Sequence, residues 1–173
     1  MNVLELFQKI TTFIFDVDGI LTDGTVLVMD NGLQARRMHI KDGFALQMAQ
    51  KNGYNVLIIS GGNSPQVVER LNKLGIMDVH ISVLDKKALI TEYMAINKLL
   101  AEQVLYMGDD LPDIPAMSVV GLPCCPADAV NEVKEVAQYI SPLNGGMACV
   151  RDVIEKVLKL NDHWQYRVDV TSR

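Results

Sequence analysis

The chain has 173 residues, 49% hydrophobic and 21% charged, and its 21 acidic side chains against 16 lysines and arginines leave a net charge of −5. That size and balance fit one globular domain with a proper core, while the acidic surplus argues against a nucleic-acid or membrane-surface partner. No apolar run approaches the ~20 residues needed to span a bilayer, and the amino terminus lacks the basic start and apolar block of a signal peptide, so a cytoplasmic address is expected.

Residues 1–10 read as a short amphipathic helix leading into Thr12-Phe13-Ile14-Phe15, a strand buried on both faces. The strand runs straight into Asp16-Val17-Asp18-Gly19-Ile20-Leu21-Thr22. Asn31-Gly32 tolerates positive φ and lies between two strand-like stretches, which predicts a hairpin over about 24–39 projecting from the sheet. A helix is expected from about Asp42 to Lys51, closed by Asn52-Gly53. A second buried strand, Asn55 to Ser60, ends in Ser60-Gly61-Gly62-Asn63, and Ser64-Pro65 opens the next helix, which stops at Gly75. Further along come a short strand near Val79–Ser82, a helix from Lys86 to about Lys98, and the strand Val104–Met107. After Gly108-Asp109-Asp110-Leu111-Pro112-Asp113 follow a short helix over Leu111–Met117, a strand Val119–Cys125, a helix Asp128–Val136 and a short strand Tyr139–Ile140. The last helix, Met147–Leu160, has an apolar stripe of Val150, Val153, Ile154, Val157 and Leu158, and the polar tail 161–173 is expected to fray. This alternation predicts a doubly wound parallel α/β sheet in a single domain, 1–173, with no cap domain. Cys124, Cys125 and Cys149, odd in number, suit a reducing compartment and read as small apolar core residues.

Chemistry-bearing residues collect at strand ends, where ligands of open α/β sheets sit. Two strands ending in Asp16/Asp18 and Asp109/Asp113 bring carboxylates together. At ~4 Å two like charges repel by ~4 kcal/mol at an effective dielectric of ~20, so such a cluster calls for a hard cation. Oxygen-only ligands favour magnesium (Mg2+) over zinc. With Ser60 and Lys86 this is a set suited to phosphate monoester hydrolysis. Asp16 attacks phosphorus and forms an acyl phosphate. Asp18 protonates the leaving alkoxide and later deprotonates the attacking water. Ser60 donates to a phosphoryl oxygen, Lys86 supplies a positive charge, and Asp109 completes the metal site.

Asp-x-Asp-Gly-x-Leu-Thr, the strand-end Ser60, the lysine and Gly-Asp-Asp-x-x-Asp resemble the four motifs of the haloacid dehalogenase superfamily, over residues 12 to 160 or so. The hairpin, Ile40-Lys41-Asp42-Gly43 and the late Gly145-Gly146 are similar to its capless 3-deoxy-D-manno-octulosonate 8-phosphate phosphatases. The resemblance implies that Asp16 is nucleophile and magnesium ligand, that Asp18 binds the metal through its backbone carbonyl, and that Asp109 is a ligand supported by Asp110 and Asp113. It implies a phosphorylated sugar-acid substrate near Asp18, His39, Lys41, Asp42, Gly43, Gly61 and Arg70. It also implies a homotetramer in which each hairpin covers a neighbour's active site. The chain departs from that pattern at Gly62 and Met147, where many such phosphatases carry arginine, a natural carboxylate partner. A nine-carbon ulosonic acid phosphate, another small phosphometabolite, or a non-catalytic phosphatase-like regulatory module are the alternatives. Simpler readings stand beside several residues: Asp23 and Asp42 as caps, His39 and His80 as structural, Lys87 in place of Lys86. For Arg36, Arg37 and Lys41 the choice is between protecting the hairpin edge and steering an anion.

Overall fold

The computed structural model describes residues 2–171. Its centre is β1 (Thr12–Phe15), paired in parallel with β4 (Asn55–Ile59) on one side and β6 (Val104–Met107) on the other. Outside β4 lies β5 (Val79–His80), and outside β6 lie β7 (Leu122–Cys125) and β8 (Tyr139–Ile140), giving a six-stranded sheet of order β5-β4-β1-β6-β7-β8. Every residue of β1, β6 and β7 is buried, as unbroken apolar runs require when helices cover both faces. Phe15 pairs with Ile58 and with Met107. This register carries Asp16, Ser60 and Asp109 to one edge of the sheet.

One face is covered by α1 (Val3–Lys9), α2 (Ile40–Lys51), α3 (Pro65–Lys73) and α7 (Cys149–Leu160), whose buried residues pack with Phe13, Phe15, Leu105 and Met107. The five stripe residues of α7 are fully buried, each contributing ~1.5–3 kcal/mol. The other face carries α4 (Lys86–Ile96), α5 (Ile114–Met117) and α6 (Asn131–Val136) over Ile14, Leu57 and Tyr106. The three cysteines are unpaired and buried.

The hairpin stands apart as β2 (Leu27–Val28) and β3 (Gln34–Ala35) in a sheet of its own. Met29 N donates to Leu33 O at 2.9 Å across the turn, and a Thr22–Met38 bridge ties its root. Leu27 and Val28 are 67% and 71% exposed.

Several boundaries move, each for a local reason. Helix α2 starts at Ile40 because His39 Nδ1 accepts from Lys41 N and caps it, which puts Asp42 inside the first turn. Prolines 112 and 115 divide the expected helix at Leu111–Met117 into a 3₁₀ turn, Leu111–Asp113, and α5. The tail described to residue 171 packs down where fraying is expected. Val170 is buried, Trp164 packs edge-on against Phe44, His163 Nδ1 bonds Tyr54 Oη at 2.9 Å, and Gln47 Nε2 donates to Thr171 O. Two apolar anchors in a polar stretch suffice to hold it.

Candidate active site

The loop after β1 is a tight turn over Val17–Leu21 in which Asp18 and Gly19 leave helical geometry. Thr22 Oγ1 closes it, accepting from Gly19 N and donating to Val17 O, both at 3.3 Å. Gly19 has φ +82°, and a Cβ there would overlap the Asp109 carboxylate, so only glycine lets the two acidic loops meet. Behind this turn the late Gly145-Gly146 presses on the Gly19 carbonyl and the backbone of residues 22 and 23, and Gly146 N donates to Ile20 O at 2.9 Å. The pair of glycines is a backing plate for the first acidic loop.

The turn opens on a cleft of about 330 Å³ lined by Asp16, Asp18, Ser60, Lys86, Asp109 and Asp113, with Gly61, Gly62 and Asp110 at its margin. Asp16 Oδ1 accepts from Val17 N at 2.8 Å, and Asp16 Oδ2 lies 3.0 Å from Lys86 Nζ. Lys86 Nζ also donates to Asp113 Oδ1 at 2.6 Å. Asp113 is the organiser of this group: Tyr106 Oη donates to the same oxygen at 2.6 Å, and the amides of Asp109 and Asp110 donate to Oδ2 at 2.9 and 3.3 Å. A carboxylate has about four lone-pair sites, and protein donors fill all of them in Asp113. Carboxylate oxygens of Asp16, Asp109 and Asp113 lie within 4.8 Å of one another. Burial, then the neighbouring Asp113 charge, pushes the Asp16 carboxyl up to about 7 against the pull of Lys86. Burial, then Asp113, Asp16 and Asp110, pushes Asp109 up to about 7 as well. Burial works to lower Lys86, yet the charges of Asp16 and Asp113 outweigh it and its ammonium is held above its ordinary value. The group is therefore short of positive charge, the condition a hard cation relieves.

Asp18 is half-buried, and its Oδ1 accepts from Arg36 Nε at 2.5 Å. Ser60 is buried, and its Oγ accepts from Gly62 N at 3.0 Å. Lys86 is buried while Lys87 is exposed. The remaining candidates lie elsewhere in the chain. His39, Asp42, Gly43 and Arg70 line a separate narrow crevice, where Arg70 Nη2 faces Gly43, and Lys41 lines a groove beside Arg151 and Asp152. Asp42 is buried, 1% exposed, and its Oδ1 accepts from Arg151 N at 2.7 Å. It caps α7, whose own N-cap residue, Ala148, has no side chain able to do so. In this fold Asp42 therefore serves as a capping carboxylate for α7 from the wall of that crevice.

A profile of the haloacid dehalogenase-like hydrolases matches residues 72–154. The 3-deoxy-D-manno-octulosonate 8-phosphate phosphatase of Yersinia pestis is 32% identical over 161 residues, covering 93% of this chain and 86% of the relative. The chain belongs to the haloacid dehalogenase-like hydrolases. Its fold superposes on a crystal structure of the Yersinia pestis phosphatase with a TM-score of 0.90, at 32% identity and over 93% of this chain and 87% of that one. A structure of the Moraxella catarrhalis 3-deoxy-D-manno-octulosonate 8-phosphate phosphatase, in complex with a magnesium ion, a phosphate ion and a KDO molecule, matches with a TM-score of 0.89. It is 30% identical, with 93% of both chains covered. In this hydrolase two contributors to the site are absent from the motif-based set. Tyr106 carries the one hydroxyl of the Val104–Met107 strand, the sole sequence signal for it. Arg36, on the hairpin, has no spacing that ties it to Asp18.

Proposed function

We propose that this protein is a magnesium-dependent phosphatase that hydrolyses a phosphorylated 3-deoxy-2-ulosonic acid, 3-deoxy-D-manno-octulosonate 8-phosphate in particular, through an aspartyl-phosphate. The observation that carries it is the meeting of Asp16 and Asp109, distant in the chain, with Lys86 and Ser60 in one cleft at the carboxyl edge of the sheet. Relatives bearing that activity in their names, and a related structure holding magnesium, phosphate and KDO, support the substrate.

The donor set fits magnesium: hard oxygens only, clustered, and short of positive charge. Asp16, Asp109 and the backbone carbonyl of Asp18 would hold the ion, with Asp113 bracing Lys86 and the 108–110 loop. When bound, the ion supplies charge that offsets repulsion between the carboxylates and the phosphoryl oxygens. Asp16 attacks phosphorus, forming a P–O bond to its carboxylate as the ester P–O bond breaks, and Asp18 gives its proton to the departing alkoxide. Asp18 then takes a proton from the water that attacks the acyl phosphate, releasing phosphate and restoring Asp16. Ser60 Oγ accepts from Gly62 N, which leaves its own proton for a phosphoryl oxygen. Lys86, locked by two carboxylates, places a fixed positive charge beside the nucleophile.

The reading extends to a single-domain cytoplasmic protein with neither nucleic acid nor membrane as partner, assembled as a homotetramer. No helix among the described residues is long and apolar enough to cross a membrane. The exposed apolar side chains of the hairpin, Leu27, Val28, Met29 and Leu33, favour burial against copies of the chain. A neighbour's hairpin would then cover each cleft, and the crevice at His39, Gly43 and Arg70 would be brought towards a partner's substrate. The test is phosphate release from 3-deoxy-D-manno-octulosonate 8-phosphate with magnesium present. Fast release that is lost on chelation and in Asp16→Asn is expected, whereas equal rates over a broad panel of phosphate esters would remove the narrow substrate.

A further inference from the structure

Arg36 follows β3, on the exposed hairpin, yet its side chain is only 11% exposed, while that of Asp18, which it touches, is 40% exposed. The hairpin root is tied down immediately after it by two contacts. The Thr22–Met38 bridge lies two residues on, and the next residue, Arg37, donates from Nη2 to Asp23 Oδ2 at 2.7 Å. From that anchor Arg36 Nε donates to Asp18 Oδ1. The two oxygens of Asp18 are thereby distinguished. Oδ1 is held by the guanidinium, while Oδ2 is turned towards Gly62: a Cβ built there would lie 3.1 Å from Oδ2, 3.4 Å from Ser60 Oγ and 3.7 Å from Arg36 Nη2. Asp18 Oδ2 and Ser60 Oγ thus share one wall of the cleft, with Arg36 immediately behind it. Gly62 is the point at which all three groups converge.

We infer that Arg36 is the positioning residue for Asp18, fixing Oδ1 so that Oδ2 meets the leaving oxygen of the phosphate ester. A half-exposed aspartate otherwise samples several rotamers, and a charge-assisted bond from a largely buried, planar guanidinium selects one. The hairpin thereby serves the cleft of its own chain through this single side chain. The inference rests on the proposed phosphatase chemistry, in which Asp18 delivers a proton to the departing alkoxide.

Leaving-group chemistry isolates this role. A sugar alkoxide must be protonated as it departs, whereas p-nitrophenolate leaves without a proton. First-turnover rates are therefore compared for Arg36→Gln and the unaltered protein, on a sugar phosphate and on p-nitrophenyl phosphate, both with saturating magnesium. We expect the sugar ester to slow by at least ~10-fold, within the ~10²–10⁴ that a positioned general acid contributes, while the nitrophenolate burst keeps its rate. Equal slowing of both esters, or of neither, overturns the inference. Should Arg36→Gln not fold, Arg36→Lys keeps the charge and a donor and carries the same comparison, with a smaller loss confined to the sugar ester. The comparison runs on whichever sugar phosphate the unaltered protein hydrolyses, so a failure of the octulosonate substrate is read separately, from the unaltered protein alone.

Discussion

Two regions of the molecule hold buried aspartates pushed up to about 7 mainly by burial, and they differ in everything else. Asp16 sits with Asp109 and Asp113 around a cleft, where Asp16 and Asp109 are raised further by neighbouring carboxylates. Asp42 sits between α2 and α7, where burial is the largest cause and backbone amides at the start of α7, with the Arg151 charge, pull it down. One of its oxygens caps a helix while the other, Oδ2, is buried with no hydrogen-bond partner. Burial alone therefore does not mark a reacting group. Mutual repulsion opening onto a cleft does, because only there can a cation and a substrate change the balance.

Substitution sharpens the contrast most. Asp16→Asn is expected to lower turnover by about 10⁴- to 10⁶-fold, the scale of losing a covalent nucleophile, with the fold retained. Asp42→Asn is expected to leave the first-turnover rate nearly unchanged, and a comparable loss there would erase the distinction between the regions. Lys86→Met leaves Asp16 and Asp113 without their shared cation. Breaking such a buried pair costs ~3–5 kcal/mol, so a large fall in the urea midpoint is expected together with lost activity.

Magnesium divides the regions next. At about 100 times its dissociation constant a ligand adds ~2.7 kcal/mol of stability. A rise in the thermal midpoint on adding magnesium is expected in the unaltered protein and in Asp42→Asn, and is expected to shrink in Asp109→Asn. A rise that survives Asp109→Asn would place the ion elsewhere.

The smallest effect is the pH dependence of the metal-free protein. For Asp42 the folded value of about 7 lies above the ordinary 3.8, so between these values the folded state keeps a proton that the unfolded chain has released. Stability is then full below about pH 4 and falls as pH rises to about 7, by at most ~1.4 kcal/mol per unit for one fully buried group. Asp16 and Asp109 act in the same direction. Urea midpoints at about pH 5 and pH 8 are expected to fall with rising pH, less steeply in Asp42→Asn and less steeply again with magnesium. A midpoint that rises over this window in the metal-free protein contradicts the burial argument.

The parallel sheet, the hairpin and most helices were legible because apolar runs, periodicity and turn residues report local structure. The strand ends at Asp16, Ser60 and Asp109 were legible for the same reason, since the carboxyl edge is a property of alternating strands and helices. What stayed hidden depends on side chains meeting across the chain. Asp42 caps a helix over a hundred residues away, a contact for which α2 has no local mark. Trp164 and Val170 hold a tail whose composition reads as loose. Tyr106 reaches Asp113 across a turn, and Arg36 reaches Asp18 from a hairpin that reads only as a projection.

Residue order by itself determined which carboxylates stand at strand ends, and hence that like charges would crowd there, because strand direction and register follow from short-range pattern. Tertiary packing alone decided which acids meet around the cleft and which cap a distant helix, as in Asp113 and Asp42. The physical reason is that hydrogen-bond capacity and burial are set by partners brought together in space, and an aspartate's chemistry follows from them rather than from its neighbours in sequence.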